Sequence, residues 1–543
     1  MNTLSRYLVI ATLSALLFIP FLGRTHLFDW DEINFAESAR EMLVTGNYGV
    51  VQINYQPFWE KPPFFIWMQA ASMSLFGVNA FGARFPNAVV GIITMLVLYT
   101  WGRRLAGERT GLLWVGAYCA SWLPFFYFKS GIIDPTFNLL IICAIWKAFR
   151  IGFTARPWSK AIWCGLFLGL AVLTKGPVAV LVSGLTFLVY LAWHRGKTAI
   201  RWGHIGIIAL IASAITCAWF GYIAAVSGWG LIGEFISYQV RLFSTPDSTH
   251  GGPWFYHGIV LLFGCFPASL FLLSWFRPRR HRENGLPTDQ RDFRGWMWIL
   301  FWVVLILFSI VKTKIVHYSS LCYFPLTFLA ACQLNRILKN PALLQRWVIG
   351  GLAVLGMGTA LAISLLPVAA LHPAWLASHI ADPFGRANLQ AVVPWSLRDC
   401  LPGLVYLTLI LLSTGYLFRK KVRSGLLILL LAQVGIMELA LVLFTPKIED
   451  YSQDAAIRFY QSLQGKDVYV HVLGFKSYAQ LFYSKALPQH NPRSDQEDWL
   501  LNGKLDKPAY FVSRITGEAH FAANPNLMVI GQQNGFVFYK RKP

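Results

Sequence analysis

The sequence predicts an α-helical polytopic membrane protein with about 13 transmembrane helices, interfacial helices in the first outer loop and a small C-terminal α/β domain on the outer side. Three observations carry that prediction. Of 543 residues, 56% are hydrophobic and only 13% charged, whereas a soluble domain carries about 25% charge. Apolar stretches long enough to cross about 30 Å of hydrocarbon recur as far as Phe444. The 47 basic residues, set against 25 acidic ones for a net charge of +22, fall in short runs between those stretches. That distribution fits cytoplasmic loops; a nucleic-acid surface would gather its charge on one soluble face. A water-soluble enzyme and a disordered chain are excluded by the same figures.

In chain order, spans are expected near Tyr7–Gly23, Phe85–Tyr99, Gly111–Phe128, Phe137–Phe149, Ala161–Leu173, Val178–Trp193 and Ile205–Val226. Six more follow near Gly258–Phe276, Trp296–Val311, Ile315–Leu334, Trp347–Ala369, Leu401–Phe418 and Gly425–Phe444. The first run lacks a small-residue cleavage site and reads as a retained span. With the N-terminus inside, the even-numbered loops should be cytoplasmic and basic. They hold Arg103/Arg104/Arg109, Arg150/Arg156/Lys160, Arg195/Lys197/Arg201, a run from Arg277 to Arg294, Arg336/Lys339/Arg346 and Arg419/Lys420/Lys421/Arg423. Charge and parity agree. Cys119, Cys143, Cys164, Cys217, Cys265, Cys322 and Cys332 lie within apolar stretches without CxxC spacing, so neither a disulfide framework nor a zinc site is expected from them.

Residues 1–445 thus form the membrane domain, and two outer segments are larger than connectors. Within 24–84, a helix is expected from Asp31 to about Val44, with acids in its first turn and Gly46 as its stop. Phe35, Ala39, Met42 and Leu43 share one face of it, which places it along the membrane interface. A second helix should begin after Lys61-Pro62-Pro63. From 446 to 543 the long apolar runs stop. Strand-like Val468–Val472, Ala509–Val512, Leu527–Ile530 and Phe536–Tyr539 alternate with helix-like Ser452–Leu463 and Ser477–Tyr483, the pattern of a small α/β domain.

The chemistry-bearing residues cluster at the outer boundary, where charge is costly and marks pathways or sites. Asp29-Trp30-Asp31-Glu32 gathers three carboxylates, suited to a general base or a divalent cation. Helix capping accounts for Asp31 and Glu32 but not for Asp29. Glu60-Lys61 sits in an aromatic, proline-stiffened turn, where the acid can hold a metal and the ammonium a phosphate. Asp134-Pro135 follows a short outer loop and can cap the next helix as well as act chemically. Lys175, in Leu173-Thr174-Lys175-Gly176-Pro177, reads as a snorkelling lysine. Arg241 and the run Lys312-Thr313-Lys314 put positive charge on the outer side, against the inside-positive pattern, and a bound phosphate is the simplest reason. Tyr318 follows that run. Asp247, His250, His257 and His317 also lie on this side, but no HxxxH-type pair supports zinc.

Together these motifs resemble a known family. The order DE-x3-AE-x2-REM-x2-TG, WEKPP, DP, LTKGP, an arginine after the long loop's helix and K-x-K-x3-Y is similar to that of the bacterial aminoarabinose transferases of lipid A. The wider set includes the protein O-mannosyltransferases of the glycosyltransferase C superfamily. The matching stretch runs from about Phe28 to Tyr323. The resemblance implies a multi-pass protein of the bacterial inner membrane whose active site faces the periplasm. It implies a polyprenyl-phosphate sugar donor, inversion at the anomeric carbon, and an acceptor that is a lipid A-type glycolipid, another glycan or a protein. By the same resemblance Asp31 and Asp134 are the catalytic acids, while Lys61, Arg241, Lys312, Lys314 and Tyr318 face the donor phosphate. Glu60, with Asp29, would touch a divalent metal (zinc, magnesium or manganese). The family carries arginine where Asn34 stands and a histidine near Tyr238, so donor sugar and metal are not carried over. A lipid-linked sugar transporter or flippase is the competing reading, although no internal repeat or paired intramembrane charge marks one. An assembly subunit would explain the topology but not the outer charge clusters.

Overall fold

The computed structural model describes residues 2–244, 251–276 and 285–542; the predicted basic run from Arg277 to Arg282 falls outside them. The chain opens with α1 (Thr3–Phe18), α2 (Asp31–Thr45), a two-stranded hairpin of β1 (Gln52–Ile53) and β2 (Gln56–Pro57), and α3 (Phe64–Phe76). There follow α4 (Ala80–Ala106), α5 (Glu108–Cys119), α6 (Trp122–Phe128), α7 (Asp134–Ile151), α8 (Pro157–Lys175), α9 (Val178–Trp193), α10 (Trp202–Ser227) and α11 (Trp229–Ser244). Next come α12 (Tyr256–Gly264), α13 (Ala268–Leu273), α14 (Thr288–Ile310), α15 (Tyr323–Lys339), α16 (Arg346–Ala370), α17 (Pro373–His379), α18 (Pro383–Asn388), α19 (Leu401–Phe418), α20 (Val422–Leu439) and α21 (Thr445–Glu449). The C-terminal segment contains α22 (Asp454–Ser462), β3 (Tyr469–Leu473), α23 (Ala479–Ser484), α24 (Glu497–Asn502), β4 (Ala509–Arg514), α25 (Glu518–Ala522), β5 (Leu527–Gln533) and β6 (Phe536–Arg541).

Every predicted span falls on helix, yet among the described residues eight helices are long and apolar enough to cross a membrane, or nine with α5 and α6 taken together. The shortfall has local causes. Helices α1 and α9 have 16 residues each, about 24 Å at 1.5 Å per residue. The predicted eighth span is broken between α12 and α13 at Cys265–Pro267, since proline cannot supply an interior amide proton. Helices α5 and α6 bend by 78°.

Two apolar cores organise the molecule. The larger lies among the long helices and is rich in aromatic rings, including Trp114, Phe125, Phe293 and Trp296. The smaller unites α2 and α3 with the C-terminal segment: Ile33, Phe35, Phe65 and Ile66 pack with Ala455, Ile457, Tyr460, Phe482 and Phe538. Helix α2 starts with Asp31 and Glu32 at the positive end of its dipole and ends at Gly46, whose φ of 68° suits a residue without Cβ. Unlike the one-sided interfacial helix its pattern predicts, α2 is covered all round, with residues 32–42 buried. On its polar side Tyr55 meets Arg40 and Glu41, while α22 and α23 join the apolar core that its other side enters.

In the C-terminal segment the strand order is β3-β4-β6-β5, with β3 and β4 parallel and the other pairs antiparallel. Leu473 pairs with Ser513, so both parallel strands end at the same edge of the sheet.

Enclosure of α2 leaves one costly group. The Glu41 carboxyl is buried, accepts the Tyr55 backbone N–H at 2.8 Å, and stands near Glu37, which is itself paired with Arg40 at 2.6 Å. Desolvation, reinforced by the Glu37 charge, raises the Glu41 pKa from 4.5 to about 9. Between those values the folded chain holds a proton that the unfolded chain releases, so stability falls as pH rises through the window. Glu41→Gln is expected to flatten that decline and to raise the unfolding temperature at pH 8 relative to wild type, measured by thermal unfolding in detergent. An unchanged pH slope would refute the assignment.

Candidate active site

The site is assembled by a buried ion pair. Arg84, on α4, donates from Nη2 and Nε to the two oxygens of Glu32 at 2.7 and 3.0 Å. Its remaining protons go to the carbonyls of Leu22, Thr25 and His26 at 2.9, 3.0 and 2.7 Å. Glu32 also accepts the backbone N–H of Phe28 at 2.7 Å and that of Gly131. Asn87 holds the same loop through the carbonyls of Ser130 and Ile132 at 2.7 and 2.6 Å. Four chain segments are thereby fixed together, with Asp31 beside Glu32 and Asp134 just beyond Gly131.

Around this frame lies a cavity of about 700 Å³. Asp31, Glu60, Lys61, Asp134, Arg241 and Tyr318 line it, as the motifs predict, together with His317 and Lys175. Asp134 is buried at the start of α7, and its Oδ1 accepts Lys175 Nζ at 2.6 Å and Ser320 Oγ at 3.2 Å. Ser320 is held in turn by Asn138 at 2.9 Å. Lys175 therefore does more than snorkel: it is an ion-pair partner that also stands 5.7 Å from the Tyr318 ring. Asp31 is half-buried, and His317 Nε2 lies 3.9 Å from its Oδ2. Tyr238 carries two of the four cations of the predicted phosphate set, Lys61 at 5.6 Å and Arg241 at 5.3 Å from its ring.

The two other predicted lysines lie off the cavity lining. Lys314 turns back on α14 and donates to the carbonyls of Phe308, Ser309 and Val311 at 3.1, 2.6 and 2.6 Å. That is a helix C-terminal cap, and burial lowers the ammonium pKa there. Lys312 is exposed. Asp247 and His250 lie outside the described residues.

A second cavity, of about 460 Å³, shares Trp30, Asp31 and His317 with the first and is otherwise lined by Phe21, Leu22, Phe126, Lys129, Leu441 and others. Asp31 is thus exposed to two spaces from one position. Asn34 fixes the dividing wall: its amide donates to the Trp30 carbonyl at 3.1 Å and accepts the indole N–H at 2.8 Å.

The carboxylates and histidines of the described residues do not assemble a metal centre. Among the described residues no three His, Cys, Asp or Glu converge where an ion could sit. Asp29 turns to the Ser477 hydroxyl instead. It keeps part of its surface in water, yet the surrounding protein still lifts its carboxyl to about 6 by desolvation, against the pull of Ser477 and Arg514. Glu60 lies on the cavity wall without partner carboxylates of that kind. No step below is routed through a metal.

The C-terminal segment supplies residues that motif reading missed. Lys476 and Arg514 also line the larger cavity. Lys476 stands 4.7 Å from the Trp30 ring, and Tyr478 packs on the same ring at 5.1 Å. The order of strands near the C-terminus predicts a domain but not where its edges come to rest.

Comparison with known proteins adds to this geometry. The family described as dolichyl-phosphate-mannose-protein mannosyltransferase matches residues 60–219. The undecaprenyl phosphate-alpha-4-amino-4-deoxy-L-arabinose arabinosyl transferase of Pseudomonas aeruginosa (strain UCBPP-PA14) is 29% identical over 355 residues, covering 63% of this chain and 60% of the relative. The enzyme of that name from Enterobacter sp. (strain 638) is 28% identical over 399 residues, covering 70% and 69%. The chain spans about 60% of the length of the curated relatives it matches first. The crystal structure of ArnT from Cupriavidus metallidurans bound to undecaprenyl phosphate superposes with a TM-score of 0.75 at 19% identity, over 99% of this chain and 98% of that one. The resemblance carried by the motifs is therefore borne out in sequence and in fold: this chain, with several helices long and apolar enough to cross a membrane, shares the fold of that crystal structure and is similar in sequence to the aminoarabinose transferases and, over residues 60–219, to the protein mannosyltransferases.

Proposed function

We propose that the chain is an inverting membrane glycosyltransferase that moves a sugar from a polyprenyl-phosphate donor to an envelope acceptor of the lipid A glycolipid class, at the periplasmic face of the bacterial inner membrane. In this reading residues 1–445 cross the membrane 13 times by the count of apolar segments, 24–84 form the first periplasmic loop, and 446–543 form a periplasmic α/β domain. The observation that carries the proposal is the meeting of two cavities at Asp31. A bisubstrate transfer needs two bound molecules that touch at one reacting point; a transporter needs one continuous path.

The donor belongs in the larger cavity, its phosphate beside Lys61 and Arg241 and within reach of Tyr318. The acceptor approaches from the smaller one. The acceptor oxygen forms the new bond at the anomeric carbon while the carbon–oxygen bond to phosphate breaks, its electron pair leaving with the phosphate. Cations that meet this developing charge supply the largest share of catalysis. Asp31 receives or orients the acceptor proton. Asp134 is already engaged by Lys175 and Ser320, so its role is to position Lys175. Lys61→Ala is expected to raise the donor KM by about tenfold, the scale of one charge-assisted contact, with thermal stability retained. An unchanged donor KM would remove Lys61 from the phosphate site.

The transporter reading is tested by reconstituting the protein in liposomes with labelled polyprenyl-phosphate sugar. Transfer releases free polyprenyl phosphate only when acceptor is present. Sugar-lipid movement between leaflets without release of polyprenyl phosphate would favour the transporter.

A further inference from the structure

The two cavities that meet at Asp31 differ in the charge they offer a ligand. The larger carries Lys61 and Arg241. Apart from the Tyr127 phenol, the ionisable side chains lining the smaller are Asp29, Asp31, Glu32, Arg84, Lys129 and His317.

Both cations of the smaller cavity are already spent. Every N–H of the Arg84 guanidinium has a protein acceptor: Nε and Nη2 meet Glu32, Nη2 also meets the His26 carbonyl, and Nη1 meets Leu22 and Thr25. Lys129 lies in the turn between α6 and α7, and its side chain is 1% exposed. Its ammonium has three protons and three acceptors, the two oxygens of Glu438 on α20 at 2.9 Å each and the Pro20 carbonyl at 3.3 Å. What remains for a ligand is the Asp31 and Asp29 carboxylates and the His317 ring, whose Nε2 is 3.9 Å from Asp31.

Ionised carboxylates accept hydrogen bonds and repel anions. A phosphate monoester carries a charge of about −1.5 to −2 at pH 7. In this space it meets no free ammonium or guanidinium among the described residues and stands against two acids. A sugar hydroxyl is the opposite case. It donates to Asp31, and it needs a base because its oxygen must lose a proton on reacting. A phosphate oxygen is already ionised and leaves Asp31 nothing to take.

We propose that the smaller cavity selects an uncharged, hydroxyl-bearing sugar of the acceptor, and that the oxygen glycosylated there is a hydroxyl oxygen, not a phosphate oxygen. This inference rests on the transferase reading and narrows its acceptor. The hydroxyl oxygen bonds to the anomeric carbon and its proton passes to Asp31. The carbon–oxygen bond to the donor phosphate breaks, and the electron pair stays with the phosphate. Phe21, Phe126 and Leu441 give the acceptor's lipid chains an apolar flank in the same space.

The test is equilibrium binding to the full-length protein in detergent, with saturating polyprenyl phosphate filling the larger cavity. The probes are a phosphate-free diglucosamine lipid and its bis-phosphorylated counterpart. Wild type should bind the phosphate-free lipid about tenfold or more tightly. Glu438→Gln releases the Lys129 ammonium and should narrow or reverse that preference; the Lys129→Met/Glu438→Leu double variant, which removes a neutral pair, should keep it. Where sugar is transferred, the product bond should survive mild acid, which cleaves a glycosyl phosphate. Tighter binding of the phosphorylated lipid by wild type, a preference unmoved by Glu438→Gln, or an acid-labile product would each overturn the proposal. If the preference is seen while wild type transfers no sugar, the transferase reading fails and the selectivity of the cavity stands. Transfer to a phosphate oxygen would leave the transferase reading intact and sink this one.

Discussion

Asp31→Asn is expected to lower turnover by about 10²–10⁴-fold, the usual worth of a positioned base, while leaving donor binding and the unfolding temperature near wild type. The expectation follows from position. Asp31 stands at the first turn of α2, partly open to solvent, and is the carboxylate that faces both cavities while Glu32 beside it is consumed by Arg84. Among the described residues its ion-pair contact is His317 Nε2 at 3.9 Å, so the amide removes a base without stranding a buried charge. The measurement is kcat with saturating donor and acceptor. A variant with full turnover would move the base elsewhere in the cavity.

The largest stability effect is expected at Arg84. Arg84→Met leaves Glu32 ionised and buried, with both residues only 2% exposed, and breaking such a pair costs about 3–5 kcal/mol. The three carbonyls that Arg84 satisfies lose their donor as well. The variant should unfold at a much lower temperature in detergent. Adding Glu32→Gln should recover part of the loss, because the uncompensated charge is then gone; the orphaned carbonyls keep the remainder. Equal unfolding temperatures for Arg84→Met and wild type would mean that the pair does not hold the loops together.

Much of this architecture is legible in the sequence because hydropathy and period report it directly. The four C-terminal strands start within a residue of their expected positions, and α2 stops at Gly46 as its glycine predicts. The motifs around Asp31, Lys61, Asp134 and Tyr318 lead to residues on one cavity. What the sequence conceals is tertiary. Lys175 reads as a snorkelling lysine because its partner is 41 residues earlier on another helix. Lys312 and Lys314 look equivalent in KTK, yet the turn after α14 directs Lys314 to helix carbonyls. The one-sided pattern of α2 cannot reveal that Tyr55 reaches Arg40 and Glu41 on its other side. Lys476 and Arg514 carry no motif; only the docking of the sheet edge brings them to the cavity.

The central claim is that one carboxylate joins a donor space to an acceptor space. It is tested most directly by a single-turnover reaction of purified protein with labelled polyprenyl-phosphate sugar and glycolipid acceptor, counting both products. The account predicts equal amounts of free polyprenyl phosphate and glycosylated acceptor in wild type, and both products formed about 10²–10⁴-fold more slowly in Asp31→Asn. Polyprenyl phosphate and glycosylated acceptor formed at the wild-type rate by Asp31→Asn, or no release from any labelled donor by wild type, would contradict it.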